Sequence, residues 1–296
     1  MDRRDFRWPD GSKLALSVVV NVEEGAEQNI RDGDRGPEPV DELSVHVAKP
    51  IRMHGNESNY QYGVKAGFPR VLKLLDRYAV RATWTAAALA LERAPQIAEA
   101  IRRRGDEPCC HGWRWAHQYW MKEDAERDFI RRGLSSIEQT CGRRPVGWLS
   151  RYLHTDNTRR LLSEEGVLYH MDDYSDDFPF WDVVETAAGP RAMLVMPYAL
   201  DSNDMKMWIA PSLTPRDWAQ YAIDSFDQLR REAEEEGARF MSLGLHLRII
   251  GRPGRIGALE RFLAHIAKSG DAWIATREEI ARAFAAACPP PKEAVS

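Results

Sequence analysis

An α/β fold, built as one barrel of parallel strand–helix units, is predicted by three features of this 296-residue sequence. Short β-branched apolar runs alternate with amphipathic helical stretches, the pattern of parallel β/α units. No linker-like break or internal repeat interrupts them. Polar, chemistry-bearing clusters fall at the ends of the strand runs, where barrels of this kind carry their chemistry. Barrels of this length are routinely one domain. The domain is expected over residues 1–288, with a disordered tail over 289–296.

The first strand is the apolar run Leu14-Ala15-Leu16-Ser17-Val18-Val19-Val20, bounded by Gly11 and Gly25 and short enough to be a buried parallel strand. A long polar stretch follows, from about Glu27 to Asn59, with several glycines and prolines and little periodicity. Loops that long are usually functional. Apolar residues at helical spacing predict a helix over Phe68–Tyr78, and Ala82–Thr85 reads as the next strand. Ala94–Arg104 is a helix stopped by Gly105, and Glu107–His111 reads as a third strand end. Asp124–Gln139 is helical, Val146–Leu149 a short strand, and Asp156–Glu165 a helix closed by Gly166, with Thr155 or Asp156 as its N-cap. Strands at Met193–Pro197 and Phe240–Leu247 flank a long helix over Pro215–Glu236. Helices over Ile256–Lys268 and Arg277–Ala286 complete the chain.

Hydrophobic residues at 44% and charged residues at 29% permit a sizeable core. A net charge of -4 without a basic face excludes a nucleic-acid-binding design. No stretch approaches the roughly 20 apolar residues of a membrane span. The charged, proline-containing segment Met1–Asp10 lacks the apolar run of a secretory signal. Four cysteines, with Cys109 adjacent to Cys110, are few for this length and point to a reduced, cytoplasmic chain. That counts against a cell-wall substrate, whose enzyme must be exported.

Four clusters at strand ends carry the candidate chemistry. Glu23-Glu24 follows the first strand; one carboxylate faces the barrel mouth if the strand continues, and both can turn inward if it has ended. Paired carboxylates suit general-base work or metal binding, although an arbitrary Glu-Glu is more often a solvated pair. His111-Gly112-Trp113-Arg114-Trp115-Ala116-His117 offers a ligand wall, with a structural histidine under packed aromatics as the alternative. Trp148-Leu149-Ser150-Arg151-Tyr152-Leu153-His154 follows a short strand and could otherwise be a helix-capping loop. In Leu243-Gly244-Leu245-His246-Leu247-Arg248, strand alternation sets His246 and Arg248 on one face and the leucines on the other. Asp201-Ser202-Asn203-Asp204 is a weaker candidate, since such strings are usually turns. Together these residues suit addition of water to a carbonyl. Glu23 takes the proton from water, an arginine such as Arg151 or a backbone donor stabilises the oxyanion, and His246 protonates the leaving nitrogen.

The order of motifs resembles the polysaccharide deacetylase (carbohydrate esterase) superfamily, from about Phe6 to Ala286. It is most similar to the branch of metal-independent allantoinases and cyclic imide hydrolases. The motifs are Asn21-Val22-Glu23-Glu24-Gly25, His111-Gly112-Trp113-Arg114-Trp115, Pro145-Val146-Gly147-Trp148, Asn157-Thr158-Arg159-Arg160-Leu161, Leu200-Asp201-Ser202-Asn203-Asp204-Met205, and Gly244-Leu245-His246-Leu247-Arg248-Ile249-Ile250-Gly251-Arg252-Pro253. The resemblance implies a distorted (β/α) barrel and a homotetramer. It implies Glu23, His246 and Arg151 as catalytic residues, with Glu24, His111, Arg114, Trp115, Arg248, Tyr152, Asn203 and Asp204 binding a small cyclic amide or imide.

The departures from the family pattern set the substrate and the metal. Sugar deacetylases have an Asp-Asp pair where this chain has Glu23-Glu24, and a second histidine where it has Trp115. They bind a divalent metal through the second Asp and both histidines. Tryptophan offers only an N–H donor and cannot ligate. Glu24 and His111 supply two of the three protein ligands usual for catalytic zinc. No cofactor is therefore expected, with zinc at Glu24 and His111 as the alternative, completed by Cys109 or Cys110. Where the allantoinases have Gly-Arg-Thr, this chain has Ser150-Arg151-Tyr152, a larger and more aromatic wall that favours a flat imide ring. The leading expectation is a cyclic imide hydrolase, with allantoinase as runner-up. A metal-dependent sugar or peptidoglycan N-deacetylase and a non-catalytic binding protein are the further alternatives.

Overall fold

The computed structural model describes residues 2–43 and 49–294. The part of the long polar stretch at 44–48 lies outside the described residues, as do the last two residues of the expected tail. Residues 289–294 end in a turn in which the Ala294 N–H donates to Pro291 O at 3.0 Å.

One nine-stranded sheet organises the described chain: β1 (Leu14–Val22), β2 (Thr83–Ala86), β3 (Glu107–Cys110), β4 (Gly147–Trp148), β5 (Tyr169–His170), β6 (Phe180–Thr186), β7 (Gly189–Val195), β8 (Arg239–His246) and β9 (Ala272–Ile274). The order is β6-β7-β5-β4-β3-β2-β1-β8, with β9 against β1. Every pairing is parallel except the β6–β7 hairpin. Along one edge of β1, β9 pairs opposite Leu14–Leu16 and β2 takes over from Val19. The barrel is distorted where the end strands of the described sheet, β6 and β8, do not pair. The segment after β7 crosses that gap, with the Gly244 N–H donating to Ser202 O at 2.9 Å and Asn203 bridging Gly244.

The helices are α1 (His54–Tyr62), α2 (Phe68–Arg77), α3 (Ala88–Arg93), α4 (Pro95–Arg104), α5 (Glu123–Cys141), α6 (Thr158–Glu164), α7 (Pro215–Glu235), α8 (Leu247–Ile250), α9 (Pro253–Ser269) and α10 (Arg277–Ala287). Gly105 stops α4 in the left-handed region, as its position after the last apolar turn predicts. The expected Thr155 or Asp156 cap is displaced. Asn157 precedes α6, while Thr155 accepts the Asn157 N–H. Six elements were not anticipated: α1 inside the polar stretch, α3, the strands β5 and β6, α8, and β9.

β1 is central and buried along its whole length, and its alternation sorts the interior. Leu16, Val18, Val20 and Val22 pack into one hydrophobic cluster with Trp84 and Trp218. Ala15 and Val19 face a second cluster with Tyr169, Met196 and Phe240. The parity of Ala15 and Val19 continues to Asn21 and Glu23, and that of Phe240 continues to His246 along β8. Asn21 pairs with His246 in the β1–β8 register. This alternation carries Asn21, Glu23 and His246 to one mouth.

Close backbone contact fixes the turn after β8. A Cβ on Gly67 would lie 2.1 Å from Leu247 O, and one on Gly251 would lie 2.3 Å from the Gly67 Cα. Only glycine allows the segment before α2 to seat directly on α8.

Candidate active site

A cavity of about 340 Å³ opens at the strand ends, within the range of small-molecule sites. Asn21, Glu23, His111, Trp115, Leu149 to Tyr152, Tyr174, Tyr198, Asn203, Lys206 and His246 line it, with Leu200, Met205 and Ile209 as apolar rim.

Glu23 is buried at the end of β1. Its Oε2 accepts from Arg248 Nη1 at 2.6 Å, and its Oε1 lies 3.5 Å from His246 Nε2. Burial opposes its charge, but Arg248 and then His246 outweigh burial and hold the carboxyl well below its ordinary range. His246 Nδ1 donates to Asp204 Oδ1 at 2.6 Å, which leaves Nε2 toward Glu23. The other Asp204 oxygen accepts the backbone N–H groups of His246 at 2.7 Å and Ile250 at 3.1 Å. Burial lowers the imidazole pKa, yet the Asp204 and Glu23 carboxylates raise it to about 9. At neutral pH the site therefore presents an ionised carboxylate beside a protonated imidazole. Environments that push two titrating groups apart in this way mark a base and an acid.

On the β3 side, His111 Nδ1 donates to Leu149 O at 2.7 Å and Nε2 accepts the Trp115 indole N–H at 3.1 Å. Both nitrogens are engaged, with the proton on Nδ1. His111 Nε2 lies 3.7 Å from Glu23 Oε1, beyond hydrogen-bond length.

The structure brings Glu23, His246, Arg151, His111, Trp115, Tyr152 and Asn203 together around the cavity. It turns four expected ligands away. Glu24 points to the opposite side from Glu23, although β1 has already ended at Val22. Its oxygens accept the N–H groups of Glu23 and Arg248, both at 3.1 Å, and a Cβ on Gly63 would lie 2.3 Å from its Oε1. Burial raises its pKa. Arg114, next to the inward Trp115, ties down the polar stretch through Asp34 and Glu27 O. Arg248 leaves the His246 face because the chain becomes helical at Leu247, and it lies behind Glu23 over Tyr60. Asp204 sits behind His246. It and Arg248 position other groups and do not touch the cavity.

Arg151 lines the cavity, but its donors are largely spent. Both Nη atoms bind Glu38, Nη1 also donates to Trp115 O at 2.7 Å, and the guanidinium stacks on Trp115 at 3.8 Å. Only Nε is without a partner. Sequence reasoning missed Asn21, Tyr198 and Lys206 at the cavity and Glu38 behind Arg151. Asn21 was accessible, since alternation sets it on the face of Glu23. Its Nδ2 donates to Tyr198 Oη at 2.8 Å and Leu245 O at 3.1 Å, which leaves Oδ1 buried and without a partner.

The two residues of the expected zinc alternative do not fit a metal. The Glu24 oxygens face away from the cavity, and the His111 lone pair holds the indole N–H. Another group of ligand type, His154, His170 and Asp172, lies beside the site with its ligand atoms within 4.8 Å of one another. There His170 Nδ1 accepts from Arg159 and Nε2 faces Asp172 Oδ2, so the imidazole is already committed on both sides.

Fold and mouth together define a barrel with a carboxylate–imidazolium pair at its strand ends. The family model for polysaccharide deacetylase matches residues 58–169. A putative polysaccharide deacetylase of Schizosaccharomyces pombe is 34% identical over 95% of this chain and 93% of its own. Among solved structures, a probable polysaccharide deacetylase from Pseudomonas aeruginosa PAO1 is 38% identical with a TM-score of 0.90, covering 96% of this chain and 95% of its own. PuuE allantoinase is 37% identical with a TM-score of 0.90, covering 96% and 94%. The chain belongs to the polysaccharide deacetylase family and is a hydrolase of that family.

Proposed function

We propose that this hydrolase opens the C–N bond of a small cyclic imide to a half-amide, without a metal. The observation that carries the reading is the Glu23–His246 pair at the cavity, a carboxylate held ionised 3.5 Å from an imidazole held protonated. A base and an acid side by side suit addition of water to a carbonyl and protonation of a leaving nitrogen. The aromatic wall of Trp115, Tyr152, Tyr174 and Tyr198 suits a flat ring.

In this reading Glu23 Oε1 takes a proton from water as the water oxygen bonds to the ring carbonyl carbon. The oxyanion is met by Arg151, which lines the cavity, or by a backbone donor. As the C–N bond breaks, His246 Nε2 gives its proton to the nitrogen, and a carboxylic acid and an amide remain. Turnover without a metal fits the engaged state of His111 and Glu24. The likeness to PuuE allantoinase favours a second reading, ring opening of allantoin by the same groups.

The test is ring opening of succinimide, maleimide, phthalimide, dihydrouracil and allantoin, and deacetylation of chitin oligomers, each with and without chelator. Imide turnover that survives chelation is expected. Turnover of allantoin alone would replace the imide reading by the second one. Chelator-sensitive deacetylation would return the chain to metal chemistry, and no turnover would leave a binding protein. The buried thiols of Cys109, Cys110 and Cys141 suit a cytoplasmic location. A homotetramer is the expected assembly, to be checked by light scattering.

A further inference from the structure

The charges lining the cavity balance with one exception. Glu23 has Arg248 at 2.6 Å, His246 has Asp204 at 2.6 Å, and the Arg151 guanidinium is clamped by Glu38. Each pair is buried, so each partner's field is largely cancelled where a ligand would sit. Lys206 is different. It lies in the short 3-10 turn Asp204–Met207, whose backbone is anchored by Lys206 N–H donating to Asn203 O at 3.1 Å and by Leu213 N–H donating to Lys206 O at 2.8 Å. Its side chain is half-buried and lines the cavity, yet among the described residues its ammonium has no hydrogen bond or ion pair.

An unpaired cation at an otherwise neutralised, largely apolar cavity selects an anion. The backbone anchors keep the turn in place when the site is empty. We infer that Lys206 is a specificity-determining residue that binds a carboxylate carried by the substrate ring, so that the preferred substrates are carboxylate-bearing cyclic amides or imides. This rests on the ring-opening reading and narrows it. Glu23 and His246 act on the carbonyl, and Lys206 sorts rings by charge. The carboxylate formed on ring opening is a separate group, present with neutral substrates as well.

The experiment compares 3-(carboxymethyl)succinimide with its nearly isosteric amide, 3-(carbamoylmethyl)succinimide, on the full chain and on its Lys206→Met and Lys206→Arg variants. A charge-assisted contact predicts a kcat/KM ratio of acid to amide of about tenfold or more. In Lys206→Met the ratio should fall to about one through KM, and Lys206→Arg should restore it. A ratio near one in the unaltered chain, or one that Lys206→Met leaves intact, overturns the assignment even if both rings open. If neither ring opens, the ring-opening reading fails, and calorimetric titration with glutarate decides the anion site alone. Glutarate binding lost in Lys206→Met upholds it, and binding that is absent or indifferent to the variant overturns it.

Discussion

The two sides of the cavity are built on opposite principles. At the ends of β1 and β8, Glu23, His246, Asp204 and Arg248 form a chain of buried charges, each held by the next. At the end of β3, His111 is engaged at both nitrogens by Leu149 O and the Trp115 N–H, and Arg151 is clamped by Glu38. One side stores separated protonation states; the other supplies a rigid wall. The proposed proton transfers draw on the β1–β8 side, so changes there should cost more activity than changes on the β3 side.

The largest effect is expected from Glu23→Gln, which removes the base and should lower kcat by about a thousandfold. Arg248 would then lose its 2.6 Å partner and keep only Glu24 at 3.8 Å, so the melting temperature should fall as well. Activity measured beneath that transition separates the two effects, and near-normal turnover there would mean that another group is the base. Glu24→Gln is the matched control one residue on. It faces away from the cavity and accepts two backbone N–H groups, one of which a Gln amide cannot serve. Stability should drop by about 1–3 kcal/mol while kcat stays within about tenfold. Equal losses of kcat in the two variants would erase the distinction between the neighbours.

His246→Asn should lower kcat by about a hundredfold. The pH profile tests the same group without removing it. A raised pKa means that the acid form persists into alkali, so kcat/KM should hold through neutral pH and fall as pH rises through about 9. On the acid side the low pKa of Glu23 places the other limb below the ordinary carboxylate range. Asp204→Asn removes the carboxylate that raises His246, so the alkaline limb should move down, with a loss of about tenfold or more at neutral pH. An unmoved limb would show that Asp204 acts only through the fold.

The same contrast explains what could be read from the chain. β1 and β8 were legible because each is a continuous buried run, and alternation along them delivers Glu23 and His246 to one mouth. β6 was not, because its residues are half-exposed and pair only with their own hairpin partner. α1 was hidden for a different reason. Its buried face is polar, with Asn56 and Asn59 donating to Asp41, so no apolar period marks it. At the site, residue type marked the clusters but not direction. Glu24 and Arg114 sit beside inward-facing residues and point away. Arg248 was assigned to the His246 face by continuing a strand that ends at His246. Glu38 pairs with Arg151 across a distance that no local pattern reports.

The smallest expected effect, on the β3 side, is Trp115→His. By motif alone this change restores the metal-binding histidine of the sugar deacetylases. The geometry argues otherwise. The new imidazole and His111 would supply two nitrogens, but the third ligand of the family pattern falls at Glu24, whose oxygens hold backbone N–H groups on the far side of the strand. Turning that carboxylate inward would strip both N–H groups of their partner, and the Glu23 carboxylate that does face His111 is held by Arg248. Zinc content measured by mass spectrometry after dialysis should therefore stay well below one ion per chain in Trp115→His. Stoichiometric zinc would show that Glu24 or Glu23 swings into the cavity, and that the division between a charged side and a fixed wall gives way once a metal can join them.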